Sequence, residues 1–183
     1  MQVILISGQA SSGKDTVAEM IKSCYEEKEG SGSVLITHYA DLLKYICKNY
    51  LGWNGEKDEA GREMLQHIGT DIVRKQNPDF WANFMADILT FFKDYWKVVV
   101  VPDVRFPNEI DKLKLRGSLG GFSITHMHIN RPNFVNALTE KQRQHKSENA
   151  MNNIKAGFYI ENSGDLEELK GKITNWVKEN LFT

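Results

Sequence analysis

Disulfide chemistry has little to work with in this chain. Cys24 and Cys47 are its two cysteines in 183 residues, too few for a disulfide framework, and neither sits in a metal-type spacing. Reduced structural thiols are therefore expected. An excess of charge of one sign is also missing: 23 Lys and Arg face 24 Asp and Glu, for a formal net charge of −1. Nothing in that balance supports bulk electrostatic binding to nucleic acid or to a membrane surface, although local basic clusters remain able to hold a small anion. No apolar run approaches the length of a membrane span, and the apolar segment near the N-terminus, a few residues long, does not read as a signal peptide. The expected setting is the cytoplasm, with no nucleic-acid and no membrane partner. Repeats and low-complexity segments are absent as well.

What is present is an ordinary globular composition, 41% hydrophobic and 26% charged, in a length that suggests one domain with room for a small insert. The most informative stretch is Val3 to Thr16, VILISGQASSGKDT. A short apolar strand pattern stops at Ser7-Gly8, and Gly8, four residues, Gly13 and Lys14 follow in the order of a phosphate-binding loop. Glycines there let the chain wrap so that successive N–H groups point at phosphate oxygens. The lysine adds a point charge, and the following helix presents its positive end. Gly8, Ser11, Ser12, Gly13, Lys14, Asp15 and Thr16 are the candidate phosphate-binding residues. The usual loop places Ser or Thr directly after the lysine as a magnesium ligand. Here Asp15 takes that position and the hydroxyl comes at Thr16. Asp15 either meets Mg²⁺, directly or through water, or favours the helix N-terminus electrostatically. Thr16 is a candidate phosphate donor or an ordinary helix-face hydroxyl.

Periodicity predicts a helix over roughly 14–27, a strand over 34–37, and a helix over 41–50 with Leu43, Ile46, Cys47 and Tyr50 on one face. A helix over about 59–75 should carry Leu65, Ile68 and Ile72 as its apolar stripe. A further helix over 80–95, capped by Asp79, should bury Trp81, Phe84, Met85, Ile88 and Phe92. Val98 to Val101, four consecutive valines before Pro102-Asp103, suits a central parallel strand covered on both faces. A short helix over 108–115, a turn over 117–121 and a strand over 122–129 follow. After the polar stretch 130–153, a short strand at 159–160 precedes a closing helix over 165–181 whose apolar residues are Leu166, Leu169, Ile173, Trp176 and Val177. Strands alternating with helices imply a parallel sheet with ligands at the carboxyl ends of its strands. The loop at Gly8 and the turn at Asp103 both follow such ends and converge in this reading.

Lys14 is expected to neutralise β- and γ-phosphate charge. Asp103 either holds Mg²⁺ or orients an attacking oxygen, or is a turn aspartate after proline. Arg105 reaches the same cleft, where a guanidinium suits bidentate phosphate recognition, or else is a surface arginine tied to Glu109. Glu63, His67 and Asp71 share one helix face, read as solvated surface or as part of a second-substrate pocket. His126 and His128 alternate on a strand with no third ligand placed by spacing, so a structural role is preferred to metal. In the polar stretch, Arg131, Arg143 and Lys146 are cations able to close over phosphates.

These blocks together resemble the deoxynucleoside monophosphate kinases of bacteriophages and related bacterial proteins. The resemblance rests on Gly8-Gln-Ala-Ser-Ser-Gly-Lys-Asp-Thr16, Tyr39-Ala-Asp-Leu-Leu-Lys44, the Arg62 to Gly69 helix with Asn77-Pro-Asp-Phe-Trp81, Asp103-Val-Arg-Phe-Pro-Asn-Glu109 and His145-Lys-Ser-Glu148. It implies an α/β P-loop fold of three αβα layers around a central parallel sheet. The core would comprise 1–37, 97–130 and 157–183, with a helical acceptor-binding insert at about 38–96 and a lid at about 131–156. It further implies ATP and Mg²⁺, the latter at Asp15 and Thr16, in phosphoryl transfer to a deoxynucleoside monophosphate. By this likeness Asp41, Lys44, Arg62, Arg74, Trp81, Asp103 and Arg105 face the acceptor. Lys14, Asp103, Arg105 and Arg143 serve catalysis, and Arg131 faces ATP. Kinases of dephospho-coenzyme A or phosphomevalonate, and a non-catalytic nucleotide sensor, are the alternatives. The compartment would be the host's cytoplasm for a phage-encoded chain, and a homodimer stays open.

Overall fold

The computed structural model describes residues 1–132, 134, 138–150 and 155–182. Five strands form one sheet: β1 (Gln2–Ser7), β2 (Val34–Ile36), β3 (Val98–Val104), β4 (Ser123–Asn130) and β5 (Phe158–Glu161), in the order β2-β3-β1-β4-β5. Every pairing is parallel. Because side chains alternate across a strand, the central strands β1 and β3 are apolar on both faces. Val98 to Val101 are fully buried, as are Val3 to Ile6. On one face Ile4, Ile6, Val100 and Ile129 pack against helices α1 (Lys14–Glu29) and α8 (Leu166–Asn180). On the other, Val3, Leu5, Val99 and Val101 meet α2 (Ala40–Tyr50), α4 (Phe80–Phe91) and α5 (Pro107–Gly120). The result is the three-layer αβα arrangement.

β3 outlasts its valines. It runs through Pro102 to Val104, and the register against β1 slips, from Leu5 opposite Val101 to Ser7 opposite Val104. Proline has no N–H for the ladder, so the strand bulges there and turns its end toward the loop after β1. That bulge presents Asp103 and Arg105 beside the phosphate loop.

α3 (Glu59–Gln66) was expected to continue as one α-helix with Ile72 on its apolar stripe. It passes instead into a π-helical segment, His67–Arg74. The wider turn moves the stripe on by one residue, so Val73 packs on the core and Ile72 is 37% exposed. The indole N–H of Trp81 donates to the Gly69 carbonyl of this segment at 3.0 Å. Gly69 itself lies so close to α2 that a Cβ would stand 2.6 Å from a Leu43 methyl carbon.

Several other expectations fail for geometric reasons. Tyr50, Phe84, Phe92 and Leu166 are exposed, because each falls at the border or end of its helix. α4 ends at Phe91, and Asp79 gives it no side-chain cap. That carboxylate instead accepts from Asn108 Nδ2 at 2.8 Å and pairs with Lys112 at 2.7 Å, tying α4 to α5. α5 runs to Gly120 in place of the predicted turn, and Gly117 within it allows close approach to the Phe122 carbonyl. In the polar stretch after Asn130, α6 (Glu140–Gln144) and α7 (Lys146–Asn149) are short helices. Part of the expected lid, 133, 135–137 and 151–154, lies outside the described residues. Among the described residues, no helix is long and apolar enough to cross a membrane.

Candidate active site

The loop between β1 and α1 is shaped by what glycine permits. Gly8 has φ +149°, and a Cβ there would stand 2.4 Å from the Ile129 carbonyl oxygen and 2.8 Å from Ser12 Oγ. Gly13 has φ +99° and would meet the Asn162 amide nitrogen at 2.7 Å. Asn162 in turn donates to the Ser12 carbonyl at 3.0 Å, tying the loop to the segment after β5. Lys14 Nζ reaches back across the loop and donates to the carbonyls of Gly8 (2.9 Å) and Gln9 (2.7 Å). Burial, then the charge of Arg105, lowers the Lys14 pKa to about 8, while Glu148, Asp15 and Asp103 pull the other way. The Ser12 hydroxyl is buried with no hydrogen-bond partner among the described residues. A glycine cradle, a desolvated cation and an unpartnered hydroxyl fit an anionic oxygen ligand such as a phosphate.

The opposite wall is the bulged end of β3. Both Asp103 oxygens accept backbone N–H groups at the start of α2, Tyr39 at 2.8 Å and Ala40 at 3.0 Å. Asp103 thus anchors α2 to the sheet. Arg105 sends Nη1 to the Glu148 carboxylate and to the Ser147 carbonyl at 3.2 Å. Arg74 pairs with Glu109 and lies 4.0 Å above the Phe106 ring. Glu109 is buried, and its other oxygen accepts the N–H groups of Arg105 (2.7 Å) and Phe106 (3.0 Å). Burial pushes its pKa up to about 7 against the pull of Arg74 and those amides. In the sequence Glu109 stands as a surface partner for Arg105 and as the last residue of the Asp103–Glu109 block, with no buried role attached. The signal that it caps a helix is its place two residues after Pro107, at the third position of α5, where a capping carboxylate belongs.

Between these walls lies a cavity of about 360 Å³ lined by Lys14, Asp15, Lys44, Arg62, Arg74, Trp81, Asp103 and Arg105. Most of the residues expected on the acceptor side therefore do share one space. Asp41 does not line it. That carboxylate accepts from Lys44 Nζ at 2.9 Å and from the His38 N–H at 2.8 Å. Burial raises the Asp41 pKa, but the His38 and Lys44 hydrogen bonds outweigh it and hold the carboxyl well below the usual range. His38 links Asp41 to the phosphate loop: its Nε2 is 3.3 Å from Asp15, and its pKa rises to about 9, first through Asp15 and then Asp41. The same hydrogen bond lowers the Asp15 carboxyl. His38 went unnoticed in the sequence, since nothing local marks an imidazole that bridges two carboxylates.

A smaller cavity of about 240 Å³ lies on the other side of the loop, against Gly8, Gln9, Ser12, His128 and Arg131. Arg131 donates to the Ser11 carbonyl at 3.3 Å and stacks 4.1 Å over Phe134. Arg143 lines neither cavity, and its guanidinium donates to the Leu138 carbonyl at 2.8 and 3.2 Å. Thr16 is exposed on α1 and also lines neither. His126 Nε2 (2.8 Å) and His128 Nδ1 (2.9 Å) both meet Ser7 Oγ, a hydrogen-bonded arrangement beneath the loop. Burial lowers both imidazole pKa values, that of His126 to about 4. Among the described residues, no group of three or more His, Cys, Asp or Glu could hold a metal by itself.

Comparison with known proteins gives this geometry a family. The chain is 27% identical over 183 residues to the deoxynucleotide monophosphate kinase of Enterobacteria phage T4, covering 97% of this chain and 68% of that one. It is 28% identical over 204 residues to a protein of Acanthamoeba polyphaga mimivirus that carries the same description provisionally, covering 97% and 96%. Among solved structures, a gluconokinase from Sinorhizobium meliloti superposes with a TM-score of 0.53 at 17% identity, covering 99% of this chain and 95% of that one, a likeness of fold alone. The family model described as deoxynucleotide monophosphate kinase matches residues 31–173, beginning after the phosphate loop, so the loop stands as a separate observation. The chain belongs to the deoxynucleotide monophosphate kinase family.

Proposed function

We propose that this protein phosphorylates deoxynucleoside monophosphates by in-line transfer of the γ-phosphoryl group of ATP. The observation that carries this reading is the single cleft in which Lys14 of the phosphate loop faces Arg105 and Arg74 of the opposite wall. The acceptor phosphate is already an anion, so no strong base is needed. Positioning and charge neutralisation suffice. Lys14 holds the β- and γ-phosphates, Arg105 lies where the group passes, and Lys44, Arg62 and Arg74 receive the acceptor phosphate. Glu109 and Phe106 fix the Arg74 guanidinium, and Asp103 sets α2 and hence Lys44. In this reading 1–37, 97–130 and 157–183 are the core, about 38–96 carries the acceptor side, and about 131–156 is the lid, with Arg131 toward ATP.

Magnesium fits the chemistry of the loop. Asp15 lines the cleft with His38 Nε2 at 3.3 Å on one side and solvent on the other, its exposed carboxylate a hard oxygen donor beside the phosphate cradle. Mg²⁺ tends to keep waters and substrate phosphates as most of its ligands, so one protein carboxylate, with or without the Thr16 hydroxyl, is sufficient. When bound, it would neutralise β- and γ-phosphate charge. The same reading places the protein in the cytoplasm, where both substrates occur, with no nucleic-acid partner.

The deciding experiment is an acceptor panel with γ-labelled ATP: dGMP, dTMP, dCMP, AMP, dephospho-coenzyme A and phosphomevalonate. Label should move to one or more deoxynucleoside monophosphates. Transfer only to dephospho-coenzyme A or phosphomevalonate would overturn the proposal, and ATP binding with no transfer to any acceptor would make the protein a sensor.

A further inference from the structure

The two cavities meet at a shared partition. Ala10, Arg105, Ser147 and Glu148 line both, so the wall between the loop-side space and the acceptor-side space is built around the Arg105–Glu148 ion pair. Lys14, Arg105 and Glu148 also line the acceptor-side space together, so a phosphoryl group held by Lys14 there meets this ion pair. We propose that Glu148 is an internal anion standing where the transferring phosphoryl group belongs, and that substrate phosphate must displace it from Arg105 before transfer. The inference rests on the proposed kinase function.

Several observations converge on this exchange. The Glu148 side chain is 11% exposed, and its carboxylate meets the Arg105 guanidinium, a fork that accepts a phosphate in the same way. Glu148 also lines the larger cavity together with Lys14, so it shares that space with both cations that transfer needs. Ser147 holds Arg105 through its carbonyl, and its own N–H and hydroxyl are bound by His145 Nδ1 at 3.3 and 2.9 Å. The segment is docked on the acceptor wall by Lys141–Glu63 at 2.8 Å and His145–Asp71 at 3.7 Å. The Lys141–Glu63 pair is solvent-exposed and costs little to break, whereas the His145 side chain is 17% exposed. A latch of this kind stays shut in the empty cleft and opens when a stronger anion arrives.

The consequence is selectivity against water. While Glu148 neutralises Arg105, ATP bound without an acceptor lacks one cation at its γ-phosphate. Hydrolysis, in which a water oxygen bonds to the γ-phosphorus, the bond to the β,γ-bridging oxygen breaks, ADP leaves with that electron pair and a proton passes to solvent, is therefore slow.

The test uses the full chain carrying Glu148→Gln, with Glu148→Ala as a second variant should the amide still bridge Arg105 or impair folding. Dissociation constants for ATP and ADP are measured without acceptor, together with release of inorganic phosphate. Only ATP presents a γ-phosphate to the partition. The preference for ATP over ADP should rise about tenfold in the variants, and acceptor-free hydrolysis should rise by a similar factor. An unchanged or reduced ATP preference in folded variants overturns the proposal, because a merely structural role would weaken both nucleotides alike. If the wild type transfers to no acceptor, the function fails while the ATP-to-ADP ratio still reads the exchange. If it transfers normally and the ratio stays flat, only the exchange fails.

Discussion

A Lys14→Met substitution keeps the reach and most of the volume of the side chain while removing its charge, which separates what that charge does for folding from what it does for chemistry. In the folded chain, burial and then Arg105 bring the Lys14 pKa from 10.5 to about 8. At about 1.4 kcal/mol per pH unit, holding the ammonium charged in that place near neutral pH costs about 3 kcal/mol. Against this stand two hydrogen bonds, to the carbonyls of Gly8 and Gln9. Donated by a charged ammonium, each is worth about 1.5 kcal/mol net or somewhat more. The two effects therefore offset near pH 7, and the variant should melt within about 2 °C of wild type there. That balance moves with pH in a definite window. Between pH 8 and 10.5 the unfolded chain holds a proton that the native chain has released, so wild-type stability climbs with pH. Methionine lacks that titration, so the variant should fall behind wild type across the same window. Turnover should fall by on the order of a thousandfold, because a preorganised charge at the moving phosphoryl group is gone. Thermal melts of both proteins at about pH 7 and about pH 9.5, beside a coupled kinase assay, test all three statements. A variant melting several degrees below wild type near pH 7 would refute the desolvation argument, and near wild-type transfer would refute the catalytic one.

Two further outcomes follow from named contacts. Gly8→Ala sets a Cβ 2.4 Å from a backbone carbonyl at a φ of +149°. It should lose about 1–3 kcal/mol of stability and most ATP affinity, read by denaturant unfolding and nucleotide titration. His38→Asn should destabilise the protein most below pH 6.5, where the imidazole is charged in both states, with the loss narrowing up to about pH 9, the folded-state pKa. A deficit that stays constant from pH 6 to about 9 would show that the Asp15 and Asp41 contacts carry no charge coupling.

Much of the fold was legible because its signals are local. Val98 to Val101 can only be an interior strand, and Gly8, Gly13 and Lys14 carry their loop in their own spacing. Other parts were hidden for physical reasons. The π-helical turn at His67–Arg74 follows from close approach of Gly69 to Leu43 and a bond from Trp81, two partners distant in the chain. Asp103 reads as a turn residue or a metal ligand, yet its oxygens meet amides of α2, some sixty positions earlier.

The sequence by itself determined the parallel sheet alternating with helices, the phosphate loop and the likeness to the family, since hydrophobic period, glycine placement and motif order are properties of neighbouring residues. Only the tertiary structure decided how the charges pair. It buried Glu109 against Arg74, bridged Asp15 and Asp41 through His38, and set Glu148 on Arg105 between the two cavities. An ion pair depends on which side chains the packing brings within a few ångströms and shields from water, and no spacing along the chain records that.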